Sequence, residues 1–248
     1  AEQGRPDAAL SPVQQLLYMG TRAMGALEFH PATFPGRTAL DEEALALVEL
    51  VAQARRVIEG DTRVAIPEIM RVGATAGGAR AKAVVLWNRT TNIVRSGYAT
   101  PQPGDEAWLV KFDGVSGGQG GHTLESAPTP GPWTRIEYVY TQMAEAAGIA
   151  VSPGVALIPD GELLHLAVRR FDRPTPTTRL HLHSLAGLTH TDYNIPQALS
   201  YEQWFDTIRA LALGADTIAE AYRRMVFNVA ARNQDDHVKN QSFLMDRT

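Results

Sequence analysis

Hydrophobic positions follow two periods along this chain, and the change from one to the other divides it. Before Ser184 most apolar runs are short. Leu16-Leu17-Tyr18-Met19 and Ala26-Leu27-Glu28-Phe29, set around Gly20 and Gly25, predict a strand pair. Ala83 to Trp87 and Trp108 to Phe112 each predict a strand, and Ala156-Leu157-Ile158 with Leu163 to Phe171 predict a hairpin turning at Pro159-Asp160-Gly161. Leu180 to Ser184 alternates apolar and polar, as a half-buried strand does. Two helices interrupt this region. One runs from Leu40 to Glu59, opened by Asp41, Glu42 and Glu43, with Arg55 and Arg56 in its later turns and Gly60 at its end. The other runs from Pro132 to Gly148, with Ile136, Tyr140, Met143 and Ala147 on one face. From Ser200 the period becomes helical, predicting Tyr201 to Leu213 and Ala215 to Arg232 around Gly214. The class is α+β, with strands carrying most of the first 184 residues and helices the rest, and two lobes meeting near Phe171 to Pro176.

Composition narrows the picture. The chain has 248 residues, 44% of them hydrophobic, enough for a packed core in one large or two small domains. Its net charge of −4 and lack of a basic run argue against a nucleic-acid groove. It has no cysteine, hence no disulfide framework and no thiolate chemistry, which fits a reducing compartment. No apolar run reaches bilayer length, since the best stretch, Ala44 to Ala52, is broken by Glu49. A soluble, cytoplasmic protein without membrane partners is expected. The start at Ala1 and the end at Thr248 suggest a piece of a longer chain.

The densest chemistry lies at Asn233-Gln234-Asp235-Asp236-His237-Val238-Lys239-Asn240, between apolar anchors at Met225 to Ala231 and at Phe243 to Met245. Asp235 and Asn240 are five residues apart, the spacing of the catalytic Asp and metal-binding Asn in the kinase pattern H-R-D-x-x-x-x-N. A carboxylate there meets the substrate hydroxyl while the amide oxygen holds Mg²⁺. A solvated, Asn- and Asp-rich helix end is the structural alternative. A metal-dependent hydrolase using Asp235, Asp236 and His237 is the chemical one.

Other stretches leave two readings each. Gly73 to Lys82 is glycine-rich before a strand, so it is either a phosphate cradle or a flexible turn, and it is not a Walker loop because Ala79 stands where Lys is needed. Lys111 lies in an apolar strand, so it either sits on an edge or points at a phosphate and an acid partner. Gly114 to Gly121 reads as linker. His181 and His183 share a strand face with no third ligand apparent, which favours hydrogen bonding over metal.

Taken in order, Met19 to Phe29, Gly77 to Lys82, Trp108 to Phe112, Glu137 to Gly148, Arg170 to Arg173, Ser184 to Leu188 and Asn233 to Asn240 resemble the kinase domain of the HipA family, the toxin half of a bacterial toxin–antitoxin pair. The doubled Asp and the His of the last motif carry most of the specificity. The resemblance implies a bilobal kinase-like fold, a strand-rich N-lobe over 1–172 and a helical C-lobe over 173–248. It implies a serine/threonine kinase using ATP and Mg²⁺, a protein substrate such as an aminoacyl-tRNA synthetase, and a HipB-like antitoxin through which DNA is engaged indirectly. Its alternative is a catalytically impaired scaffold that binds antitoxin and assists repression.

By position, the resemblance makes Asp235 the catalytic acid/base and Asn240 a metal ligand. Lys111 and Glu137 become the phosphate-binding Lys and its helix partner. Gly77, Gly78, Ala79, Arg80, Ala81 and Lys82 become the phosphate-covering loop, Arg169, Arg170 and Phe171 the hinge beside adenine, and His237, Val238, Lys239 and Asn240 further nucleotide contacts. Thr75 stands near where some members carry a Ser that the enzyme itself phosphorylates. The family's second metal-binding Asp falls beyond Thr248, so weakened nucleotide binding or slow transfer is expected of the chain as it stands.

Overall fold

The structure is a computed structural model that describes residues 11–33, 44–46, 82–113, 131–195 and 197–245. Its centre is a six-stranded antiparallel sheet of order β1-β3-β2-β4-β6-β5. The strands are β1 (Ala44–Ala46), β2 (Lys82–Asn88), β3 (Ile93–Ser96), β4 (Asp105–Lys111), β5 (Val155–Asp160) and β6 (Leu163–Arg169). Helix α1 (Pro12–Met19) precedes the sheet, and α2 (Trp133–Ala146) packs on β5 and β6. Then come β7 (His181–Ser184), the single turn α3 (Leu185–Leu188), α4 (Tyr201–Ala210), α5 (Ala215–Ala230) and β8 (Ser242–Met245), which pairs with β7.

Side chains alternate across the sheet, so register assigns each residue to a face. Lys82, Lys111 and Leu166 lie opposite one another across β2, β4 and β6. Val110, Ala83 and Ala167 therefore point the other way, into a core that includes Trp87, Trp108 and Phe112. Trp87 and Trp108 meet edge to face with centroids 5.1 Å apart. A second core joins Leu185, Ala186, Trp204, Ile208, Ala221 and Val238, so the end of the polar loop is anchored among α3, α4 and α5. Gly97 turns the chain back onto β2, donating to the Val84 carbonyl at 2.9 Å. A Cβ there would stand 2.7 Å from that oxygen, so only glycine fits.

Three sequence expectations are corrected. Leu16 to Met19 is helical, because Ser11 and Gln14 form a capping box and Pro12 occupies the first turn, so the local cap overrides the apolar run. Ala26 to Phe29 has no regular structure and forms no strand pair with it. Within the Leu40 to Glu59 helix expectation, Ala44–Ala46 is a strand paired with β3, where ladder bonds to an open sheet edge outweigh helical periodicity. The rest of that expectation, the Gly114 to Gly121 linker, Thr75 and Gly73 to Ala81 lie outside the described residues. The β5–β6 hairpin turns one residue later than expected, at Gly161 and Glu162, with Gly161 at φ +59.

Candidate functional site

Lys111 ends β4, and Glu137 lies in the second turn of α2. Their side chains form an ion pair, with Lys111 24% and Glu137 40% exposed. Lys82 stands directly across from Lys111 on the same sheet face. Like charges so placed repel, and Glu137 supplies one carboxylate between α2 and the sheet. The Lys111–Glu137 pair lies on a half-open surface.

Residues 169–171 divide. Arg169 is on the face opposite Lys111 and pairs with Glu106 at 3.1 Å. Arg170 binds Asp172 through two bonds of 2.9 and 2.6 Å, and Arg173 donates to the same carboxylate at 2.7 Å. Both guanidinia also donate to the Met24 carbonyl, tying the start of the chain to the segment after β6. Burial, then Arg170, pulls the Arg173 guanidinium down to about 10. Arg169 and Arg170 are thus committed to structural partners, whereas Phe171, 50% exposed, presents its side chain to solvent.

The polar loop follows α5. The Asp235 amide donates to Asn233 Oδ1 at 3.1 Å, an Asx turn that starts the loop. The Asp235 carboxylate is 85% exposed and lies 3.4 Å from His237 Nε2. His237 Nδ1 accepts from the Lys239 amide at 3.3 Å, which leaves the ring proton on Nε2, facing Asp235. Asn240 Nδ2 donates to the Asp235 carbonyl at 2.5 Å. That bond assigns the amide orientation and leaves Oδ1 as an acceptor, the kind of atom a hard cation takes. Lys239 Nζ lies 4.2 Å from the Tyr193 ring centre, and the His237 ring is 5.9 Å from that of Tyr193.

Asp236 takes the opposite role from Asp235. Its two oxygens accept from Tyr201 OH and, at 2.7 Å, from Gln241 Nε2. Asn228 Nδ2 donates to Tyr201 OH at 3.3 Å, and Asn233 Nδ2 to Asn228 Oδ1 at 3.2 Å. Burial, then Asp236, pushes the Tyr201 phenol up to about 12. Asp236 is therefore not available beside Asp235 and His237 as a metal triad. Among the described residues no group of three or more His, Asp or Glu could hold a metal. His181 and His183 meet edge-on at 5.6 Å.

Sequence reasoning missed Tyr201 and Asn228, which read only as parts of two helices, and Gln241, which was given no reading. The pairing of Asn240 with Gln241, behind Asp235 with Asp236, is a signal for Gln241, whereas no local pattern marks Tyr201 or Asn228. It also missed Tyr140, whose hydroxyl donates to the Ala231 carbonyl at 2.6 Å, joining α2 to the end of α5.

No helix among the described residues is long and apolar enough to cross a membrane. No curated protein matches the chain. A solved chain from the complex described as the Shewanella oneidensis MR-1 toxin–antitoxin system HipA, HipB and its operator DNA shares the fold, with a TM-score of 0.56 at 18% identity over 93% of this chain. The match takes in 53% of that solved chain, so this chain spans about half its length. The family model described as the HipA-like C-terminal domain matches residues 74–248, and the chain belongs to that family.

Proposed function

We propose that the chain is the core of a HipA-like serine/threonine protein kinase, the toxin of a type II toxin–antitoxin pair. The observation that carries this reading is the Lys111–Glu137 ion pair between a sheet strand and the helix packed on that sheet, the arrangement protein kinases use to hold ATP phosphates. In this reading residues 1–172 are the N-lobe and 173–248 the helical C-lobe. Lys111, with Lys82 and the glycine-rich stretch from Gly77, meets the phosphates of ATP. Phe171 and the backbone beside it meet adenine.

Asp235 accepts the proton of a substrate Ser or Thr hydroxyl as that oxygen bonds to the γ-phosphorus and the bond to the β-phosphate bridging oxygen breaks, releasing ADP. His237 holds the Asp235 carboxylate in orientation. Asn240 Oδ1 would be one protein ligand for Mg²⁺, whose charge would offset that of the phosphates. The protein substrate belongs to the cytoplasmic translation machinery, an aminoacyl-tRNA synthetase being one example. A HipB-like antitoxin is the proposed partner, with operator DNA bound through it. The same partners fit a second reading, a kinase-like scaffold that assists repression, since the solved relative is a complex with HipB and DNA.

Incubation of the full-length protein with labelled ATP and Mg²⁺ separates the two. Transfer of label to protein supports the kinase. Nucleotide binding with no transfer to any protein, its own chain included, leaves the scaffold.

A further inference from the structure

The loop holds two hydrogen bonds of identical spacing side by side. Asn240 Nδ2 reaches the Asp235 carbonyl, and Gln241 Nε2 reaches the Asp236 carboxylate, five residues back in each case. The outer pair carries the exposed Asp235 carboxylate and the amide of exposed Asn240. The inner pair is anchored. Tyr201, the first residue of α4, donates to Asp236, and the Leu185 amide of α3 donates to the Gln241 carbonyl at 2.8 Å. Asn228 of α5 donates in turn to Tyr201 OH.

We infer that Asp236, Gln241 and Tyr201 form an inner clamp that sets the separation and orientation of Asp235 and Asn240, which makes them positioning residues for phosphoryl transfer. The inference rests on the kinase reading. Its physical basis is that adjacent residues share a backbone: fixing Asp236 to Gln241 fixes the distance between their neighbours. An exposed carboxylate and an exposed amide have little of their own to hold them, since a single hydrogen bond in water adds only a small net stabilisation. The clamp supplies further bonds, anchored on α3, α4 and α5. Tyr201, like any phenol, is protonated and so a donor throughout the neutral range.

The test exchanges the members of the pair in the full-length protein. Gln241→Glu places two carboxylates against each other and removes the amide donor. Adding Asp236→Asn restores an amide–carboxylate bond with the polarity reversed, and the oxygen of the substituted amide still accepts from Tyr201. The expected result is a fall in kcat of roughly 10- to 100-fold for Gln241→Glu, the scale of a slight misplacement of reacting groups, with KM for ATP changed far less. The double variant should recover most of that loss. Hydrogen exchange over residues 233–241 should quicken in the single variant and slow again in the double.

Unchanged exchange in Gln241→Glu, or no recovery of kcat in the double variant, overturns the clamp. So does quickened exchange with kcat unaltered. Asp235→Asn, measured alongside, identifies the remaining case: if it transfers phosphate normally, the kinase reading is wrong and the positioning role falls with it, whatever exchange shows.

Discussion

Two carboxylates next to each other in sequence are given opposite tasks by their surroundings. Asp236 accepts two hydrogen bonds from groups anchored on helices, whereas Asp235 is 85% exposed and meets the His237 ring. Asp235→Asn should therefore abolish transfer with the fold intact, because the amide keeps the shape but cannot take the hydroxyl proton. Transfer should drop by at least ~100-fold, while thermal unfolding stays within a degree or two of the parent. Lys111 makes a contrasting case. Its ion pair with Glu137 is partly exposed, and such pairs contribute about 0–1 kcal/mol. Lys111→Ala should thus cost under about 1 kcal/mol in urea unfolding yet weaken ATP binding by roughly tenfold or more by calorimetry. Equal ATP affinity in the variant would make Lys111 a plain edge residue. An acid partner for Lys111 was legible as one of two readings of an ammonium in an apolar strand, and the family resemblance named Glu137 as that partner. The role of Asp236 was not, because its partner Tyr201 lies 35 residues away in sequence and only folding brings them together.

Elements with strong periodicity were the legible ones. The apolar faces of α2, α4 and α5 and the strands β2, β4, β5 and β6 follow from hydrophobic spacing alone, within a few residues at each end. The β2–β3 hairpin escaped because its loop lacks glycine. Asn88 Oδ1 instead accepts the amides of Thr90 and Thr91, and Asn92 takes φ 57 while its Oδ1 accepts from Trp87 Nε1. Asparagine does locally what glycine usually does, since its side chain offsets the cost of the left-handed region. The α4 start carries a pH prediction. Tyr201 is held near 12 in the fold against 10.0 for an ordinary phenol, so the unfolded chain releases this proton first. The stability that its bond to Asp236 contributes is fully present below pH 10 and is lost as pH rises through 12. The stability gap between the parent and Tyr201→Phe, read from urea unfolding, should hold constant from neutral pH to 10 and shrink above it. A gap that is flat up to pH 12 would mean the phenol titrates normally.

At the scale of the molecule, the question is how the sheet that carries Lys111 is held to the loop that carries Asp235. The mixed class and the strongly periodic elements could be read from the sequence, but this junction could not, because Tyr140 read as one more apolar position on a helix face. Its ring meets Phe227 edge-on at 6.3 Å, and its hydroxyl caps the Ala231 carbonyl just before the loop begins. Arg224 and Glu220 of α5 bind the carbonyl and amide of Ala150 at 2.7 and 3.1 Å, so the segment after α2 docks on α5 as well. Tyr140 is three residues, nearly one turn, beyond Glu137 on α2. One rigid helix thus touches the Lys111 partner at one turn and the root of the Asp235 loop at the next. Tyr140→Phe removes the hydroxyl and keeps the ring packing, so the loss is that of one partly buried hydrogen bond, about 0.5–1.5 kcal/mol, or a Tm lower by ~1–6 °C. The ion pair of Lys111 with Glu137 does not depend on that hydroxyl, so ATP affinity should stay near that of the parent, while kcat falls as the loop loses its tie to α2. Calorimetry with ATP beside turnover of the full-length protein checks this split. If affinity and turnover fall by the same factor, α2 moves as a unit with the sheet and Tyr140 serves nucleotide binding. If neither changes although Tm drops, the hydroxyl only stabilises the fold.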